Sequence, residues 1–145
     1  MRRLVSYALI PLLAAASAGL PVAAQAGDGA PLQVRIGYLG YRPDPGPLLS
    51  NVIEEPADAG LRGAQLAIVD SNSTGRFLKH DYQLQSASVD SPEALLQAAQ
   101  AQHDQGLRLF VVNAPSASLR QISAALHDSL LFNAGSADDT LRTTD

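Results

Sequence analysis

The sequence predicts an α/β protein built on one three-layer, mostly parallel sheet, and two observations carry that expectation. Short apolar runs alternate with longer stretches whose apolar residues recur every three or four positions, giving the order β-α-β-α-β-α-β. One run, Leu107 to Val112, is almost continuously apolar, which suits a strand covered on both faces, as strands of parallel sheets are. Right-handed crossovers follow from the same alternation.

Taken in order, Val34 to Leu39 is short and β-rich, is bounded by Gly40, and is the first expected strand. The residues before it, 27–33, contain Gly27, Gly29 and Pro31 and predict a flexible mature N-terminus. Pro43, Pro45 and Pro47 alternate, which predicts an extended, irregular loop over 41–57. From Asp58 the period changes. Leu61, Ala64 and Ile68 recur at helical spacing, Leu66 and Val69 widen that apolar face, and Gly75 is the expected stop. Tyr82 to Val89 keeps an approximate alternation and is the second strand.

Asp90-Ser91-Pro92-Glu93 opens the second helix: it offers a capping oxygen, a proline where the missing N–H costs nothing, and an acid at the positive helix end. That helix runs through an Ala/Gln-rich stretch to Gly106. Leu107 to Val112 is then the third strand and the expected sheet centre. Leu119, Ile122 and Leu126 predict a third helix from about Ser118 to Asp128, and Leu130 to Asn133 a fourth strand. Gly135 to Asp145 shows no period.

The N-terminus bears on where the protein works. Arg2 and Arg3, the apolar stretch Leu4 to Leu20 and the small-x-small site Ala24-Gln25-Ala26 predict a secretory signal over 1–26, cleaved after Ala26. Pro11 and Pro21 interrupt the apolar stretch, which argues against a membrane anchor, and the mature chain is expected to be soluble and periplasmic. Removing 26 residues from 145 leaves 119. Removing Arg2 and Arg3 from 10 basic residues leaves 8 against 14 acidic ones, a formal charge of −6. A nucleic-acid partner is therefore not expected, since phosphate binding needs a basic footprint. With no Cys, the fold must rest on its core even in an oxidising compartment.

In a parallel sheet the ligand sits beyond the carboxyl ends of the strands, near the point where strand order reverses. The loops that matter are then 40–47, 90–91, 113–118 and 134–137. Their candidate ligand-binding residues are Tyr38 and Tyr41 around the first strand's end, Ser116 and Ser118 after the third strand, and Gly135 and Ser136 after the fourth. Ser116 and Ser118 are equally placed to cap the third helix, and Ser136 to serve a turn.

Other chemistries lack their residues. The His-Asp pairs His80-Asp81, His103-Asp104 and His127-Asp128 suggest metal ligation at first sight. The last two fall at successive helix C-termini, where histidine suits the negative dipole end, on the edge opposite the expected crevice. No metal, cofactor or catalytic residue is expected. There is no Gly-x-Ser-x-Gly elbow, the only lysine is Lys79, so no phosphate-binding loop is available, and Gly37-x-x-Gly40 lacks the third glycine of a dinucleotide fingerprint. A receiver domain would need aspartate where Asn113 stands. Asn72-Ser73-Thr74 matches a glycosylation acceptor pattern but falls at a helix C-terminus.

The ordered stretches VRIGYL (34–39), GAQLAIVDSNSTG (63–75), DSPEALLQAAQAQHDQG (90–106), LRLFVVNAP (107–115) and LLFNAGS (130–136) together resemble the N-terminal lobe of type 1 periplasmic solute-binding proteins. The family is the branched-chain amino-acid (Leu/Ile/Val)-binding receptors of ABC transporters. IGYLGYRPDPGP and NSTGRFLK further resemble a subgroup associated with PQQ-dependent alcohol oxidation. The resemblance implies the periplasmic-binding-protein-like I fold, with 34–145 forming only the N-terminal part of lobe 1 and the chain truncated before the second lobe. It implies strands 2 and 4 flanking strands 1 and 3, a small polar solute as ligand and an ABC permease as partner. By position it places Ser116 and Ser118 in one solute-holding loop and Ala134 to Ala137 in the other. The sequence departs from the family where Ala137 lacks the expected hydroxyl and where Asn113-Ala114-Pro115 replaces a glycine-rich opening. The implied role is non-catalytic solute capture for import. The alternatives are an accessory or sensory binding protein linked to alcohol oxidation and, last, an exported hydrolase.

Overall fold

A computed structural model of the chain describes residues 30–47, 56 and 58–142. The expected signal over 1–26 and part of the proline-rich loop, 48–55, lie outside the described residues. The elements are β1 (Leu32–Tyr41), α1 (Ala59–Gly75) followed by a 3₁₀ turn (Arg76–Leu78), β2 (His80–Val89), α2 (Pro92–Asp104), β3 (Leu109–Asn113), α3 (Ser116–Ala125), β4 (Leu130–Asn133) and a 3₁₀ turn (Asp139–Leu141). All four strands are parallel in the order β2-β1-β3-β4, so strand order reverses between β1 and β3. Among the described residues β1 and β3 are the central strands and β2 and β4 the edges.

β1 is longer than its apolar run because β2 reaches further down. The Leu32 N–H donates to the Lys79 carbonyl at 2.8 Å, and pairing continues from Leu32 opposite His80 to Tyr41 opposite Val89. Part of the expected flexible segment 27–33 is therefore sheet. Residues 42–46 carry no regular structure, as alternating prolines dictate.

α2 and α3 cover one face of the sheet and bury the core. Leu39, Leu95, Leu107, Phe110, Val112 and Ile122 are its largest fully buried side chains. α2 begins where the sequence places it: the Ala94 N–H donates to Ser91 Oγ at 3.2 Å, Pro92 sits in the first turn, and Gly106 turns the chain out at φ +91°. Gly37 faces this core. A methyl group there would lie 2.6 Å from Phe110 Cδ1 and would overlap the Gln102 side-chain oxygen, so only glycine lets α2 approach.

The other face carries α1, which packs on β1 and β2. One expectation fails here and another holds by a different geometry. Leu66 and Val69 do not widen a buried face; they are 62% and 65% exposed, because Gly60, Ala64, Ala67, Ile68 and Ser71 form the side turned to the strands. α1 does end at Gly75 as expected, but not by a left-handed turn, since the Gly75 φ is −56°; the chain runs on through a 3₁₀ turn and reverses at Lys79, φ 55°. Gly75 is buried because a Cβ would meet the His80 carbonyl at 3.0 Å and the Tyr82 ring at 3.1 Å. Among the described residues nothing else packs on this face, and Leu130 and Phe132 of β4 are half exposed.

Candidate functional site

β1 and β3 end side by side at the point where strand order reverses, and the side chains they present toward α1 build the site. Tyr38 is 3% exposed, and its hydroxyl accepts a hydrogen bond from Asn113 Nδ2 at 3.2 Å. Gly60 in the first turn of α1 lies against this pair: a Cβ there would sit 2.5 Å from the Tyr38 hydroxyl and 2.6 Å from Asn113 Nδ2. Gly135, after β4, closes on the other side of Asn113, where a Cβ would come within 2.6 Å of the Ala114 nitrogen. Both glycines are thus close-approach positions around one Tyr–Asn pair.

From this polar end a groove of about 340 Å³ runs between α1 and the sheet. Its walls are Ile36, Leu84 and Val111 from three strands and Gly60, Ala64, Ala67, Ile68 and Ser71 from the helix. No charged side chain of the described residues lines it.

The six predicted residues divide into groups. Tyr38 and Gly135 meet through Asn113. Tyr41, three residues beyond Tyr38, points to the opposite face and packs against the α2/α3 core. Ser116 is the first residue of α3 and does not cap it; its side chain bonds Asp138. Ser118 lies inside α3, 5% exposed. Ser136 is held in a turn: its N–H and that of Gly135 donate to Asn133 Oδ1 at 2.9 and 3.2 Å, and its Oγ accepts from the Asp138 N–H at 3.2 Å. Ser116 and Ser136 therefore meet at Asp138.

Asp138 anchors the chain after β4 onto α3. Arg120 Nη2 reaches its carboxylate at 3.0 Å and Thr140 Oγ1 at 2.6 Å. Hydrogen bonds from Ser116 and then Thr140, with the Arg120 guanidinium, hold the Asp138 carboxyl far below the usual carboxylate range.

At the opposite edge, His103 Nε2 and Asp128 Oδ1 are 2.6 Å apart and Arg108 Nε meets Asp128 Oδ2 at 2.8 Å, joining the end of α2 to the start of β4. The His103 bond, with the Arg108 charge, lowers the Asp128 pKa. No group of three or more His, Cys, Asp or Glu side chains that could share a metal occurs among the described residues.

The candidate residues expected from the sequence omit Asn113 and Asn133. The signal for both was present: each is a polar residue closing an apolar strand, the position from which a parallel sheet presents side chains to a ligand. Gly60 carried no signal, because its neighbour Tyr38 is distant in sequence. Compared with protein families, curated proteins and solved structures, the chain matches none of them.

Proposed function

We propose that the chain is a non-catalytic, solute-binding lobe of the type 1 periplasmic-binding-protein kind, working outside the cytoplasm as the binding component of a branched-chain amino-acid-type ABC importer. One observation carries this reading. The preformed crevice lies at the β1/β3 reversal point, with Tyr38 and Asn113 at its polar end and Gly135 and Ser136 in the adjoining turn. Pockets that fix a small solute combine such apolar walls with a few placed polar groups. A permease would read closure around the solute as a change of state.

A second reading keeps the fold and changes the ligand: an accessory or sensory binding protein linked to alcohol oxidation. It is favoured by the groove's lining, which offers no charged partner for an ammonium or carboxylate. Calorimetric titration of the full chain with leucine, isoleucine and valine, and separately with short alcohols and acids, decides between them. Saturable amino-acid binding supports the importer reading; saturable binding of alcohols or acids alone supports the second. No saturable heat with either set contradicts both.

A further inference from the structure

The groove beneath α1 is chemically lopsided, and the lopsidedness specifies a ligand. Ile36, Leu84, Val111, Ala64 and Ala67 give walls that would hold a hydrocarbon chain, Tyr38 and Asn113 stand together at one end, and Ser71 adds a single hydroxyl further along the helix. At that end the Tyr38 hydroxyl accepts from Asn113 and donates its own proton to no group of the described residues. A buried donor without an acceptor is costly, and a ligand oxygen would satisfy it. The volume, about 340 Å³, falls within the small-ligand range of roughly 300–1,000 Å³. It is far too small for a packed helix about 10 Å across. At about 30 Å³ per water-sized group it holds roughly ten non-hydrogen atoms. With no cation on the walls, a carboxylate head would lose its hydration without a partner, so the oxygen must be uncharged.

We infer that the groove between α1 and the sheet is a binding site for a medium-length aliphatic molecule with one uncharged, hydrogen-bond-accepting oxygen, seated with that oxygen on the Tyr38 hydroxyl. The assignment rests on the proposed reading of this groove as a solute site and deepens it by naming the chemical class of the ligand.

The test uses the full chain, 2-octanone and octanoate, followed by amide chemical shifts. 2-Octanone is expected to bind saturably in roughly the millimolar range, with octanoate weaker. Tyr38→Phe keeps the buried ring, removes the donor, and is expected to weaken 2-octanone binding roughly three- to tenfold. Ala67→Leu and Ala64→Leu each project a larger side chain into the groove and are expected to abolish binding. Should either filling variant fail to fold, Tyr38→Phe still carries the test. The assignment is overturned if 2-octanone shows no saturable shifts, if octanoate binds more tightly, or if a folded filling variant binds unchanged. It is likewise overturned if sedimentation shows concentration-dependent self-association that Ala67→Leu removes, because the groove would then belong to a second copy of the chain. Leucine binding without 2-octanone binding would remove this site and leave the receptor reading intact; the reverse result would do the opposite.

Discussion

Gly37→Ala probes the closest approach in the core. Alanine in place of a strand glycine reduces the freedom of the unfolded chain, which by itself stabilises by about 0.4–1 kcal/mol. In the folded state the new methyl group meets the fixed ring of Phe110 and the end of the Gln102 side chain. Phe110 is fully buried, with two ring carbons 2.6 and 2.8 Å from the added carbon, and Gln102, 4% exposed, presents its oxygen to the same point. Overpacking of this kind costs about 1–3 kcal/mol, so the net expectation is a loss of about 1–2 kcal/mol. Gln102→Ala frees one of the two contacts but gives up the Gln102 Nε2 bond to the Gln85 carbonyl at 3.3 Å. The double variant should therefore be more stable than the sum of the single losses by about 0.5–1 kcal/mol, with Phe110 preventing full recovery. Urea unfolding followed by circular dichroism measures all three. A Gly37→Ala protein as stable as its parent, or strictly additive variants, would refute the reasoning.

Three further outcomes are expected. Ser91→Ala removes the oxygen that accepts the Ala94 N–H and should cost about 1 kcal/mol in the same unfolding assay. Asp138→Asn should destabilise the protein at neutral pH. The folded-state pKa of Asp138 lies below its unfolded value of about 3.9, so its contribution is complete above that pH and is lost as pH falls toward the folded pKa. The difference between variant and parent should accordingly shrink below about pH 4, and a difference that grows on acidification would contradict the assignment. Asp128→Asn removes the negative charge that faces His103 and Arg108 and weakens both links, and should speed hydrogen exchange at the Leu130 amide, which donates to the Arg108 carbonyl at 2.8 Å, without altering exchange at Ala94.

Local signals made most of the elements legible in the sequence. β4 occupies 130–133 as its apolar run dictates, and α2 has the cap, proline and terminal glycine that its sequence advertises. What the sequence concealed was contact between distant residues. α1 has the expected period, yet the faces of Leu66 and Val69 are decided by which side its small residues turn to the sheet. Gly75 reads as a helix stop by type, and only the proximity of Tyr82 reveals its packing role. α3 starts at Ser116 rather than near Ser118, because the chain turns at Pro115 and the Ser116 hydroxyl is engaged by Asp138 from beyond β4. At the site, alternation along β1 already separates Tyr38 from Tyr41. The joining of Tyr38 to Asn113 depends on register across strands, which no single segment encodes.

The central claim is that a small solute is captured at the carboxyl ends of β1 and β3. Its most direct test is amide-resolved NMR of the full chain titrated with leucine. Saturable shifts gathered at Tyr38, Asn113, Gly135 and Ser136, with His103 and Asp128 at the far edge unmoved, are the predicted result. Saturable shifts centred on His103 and Asp128, or no saturable shift at any amide, would contradict it.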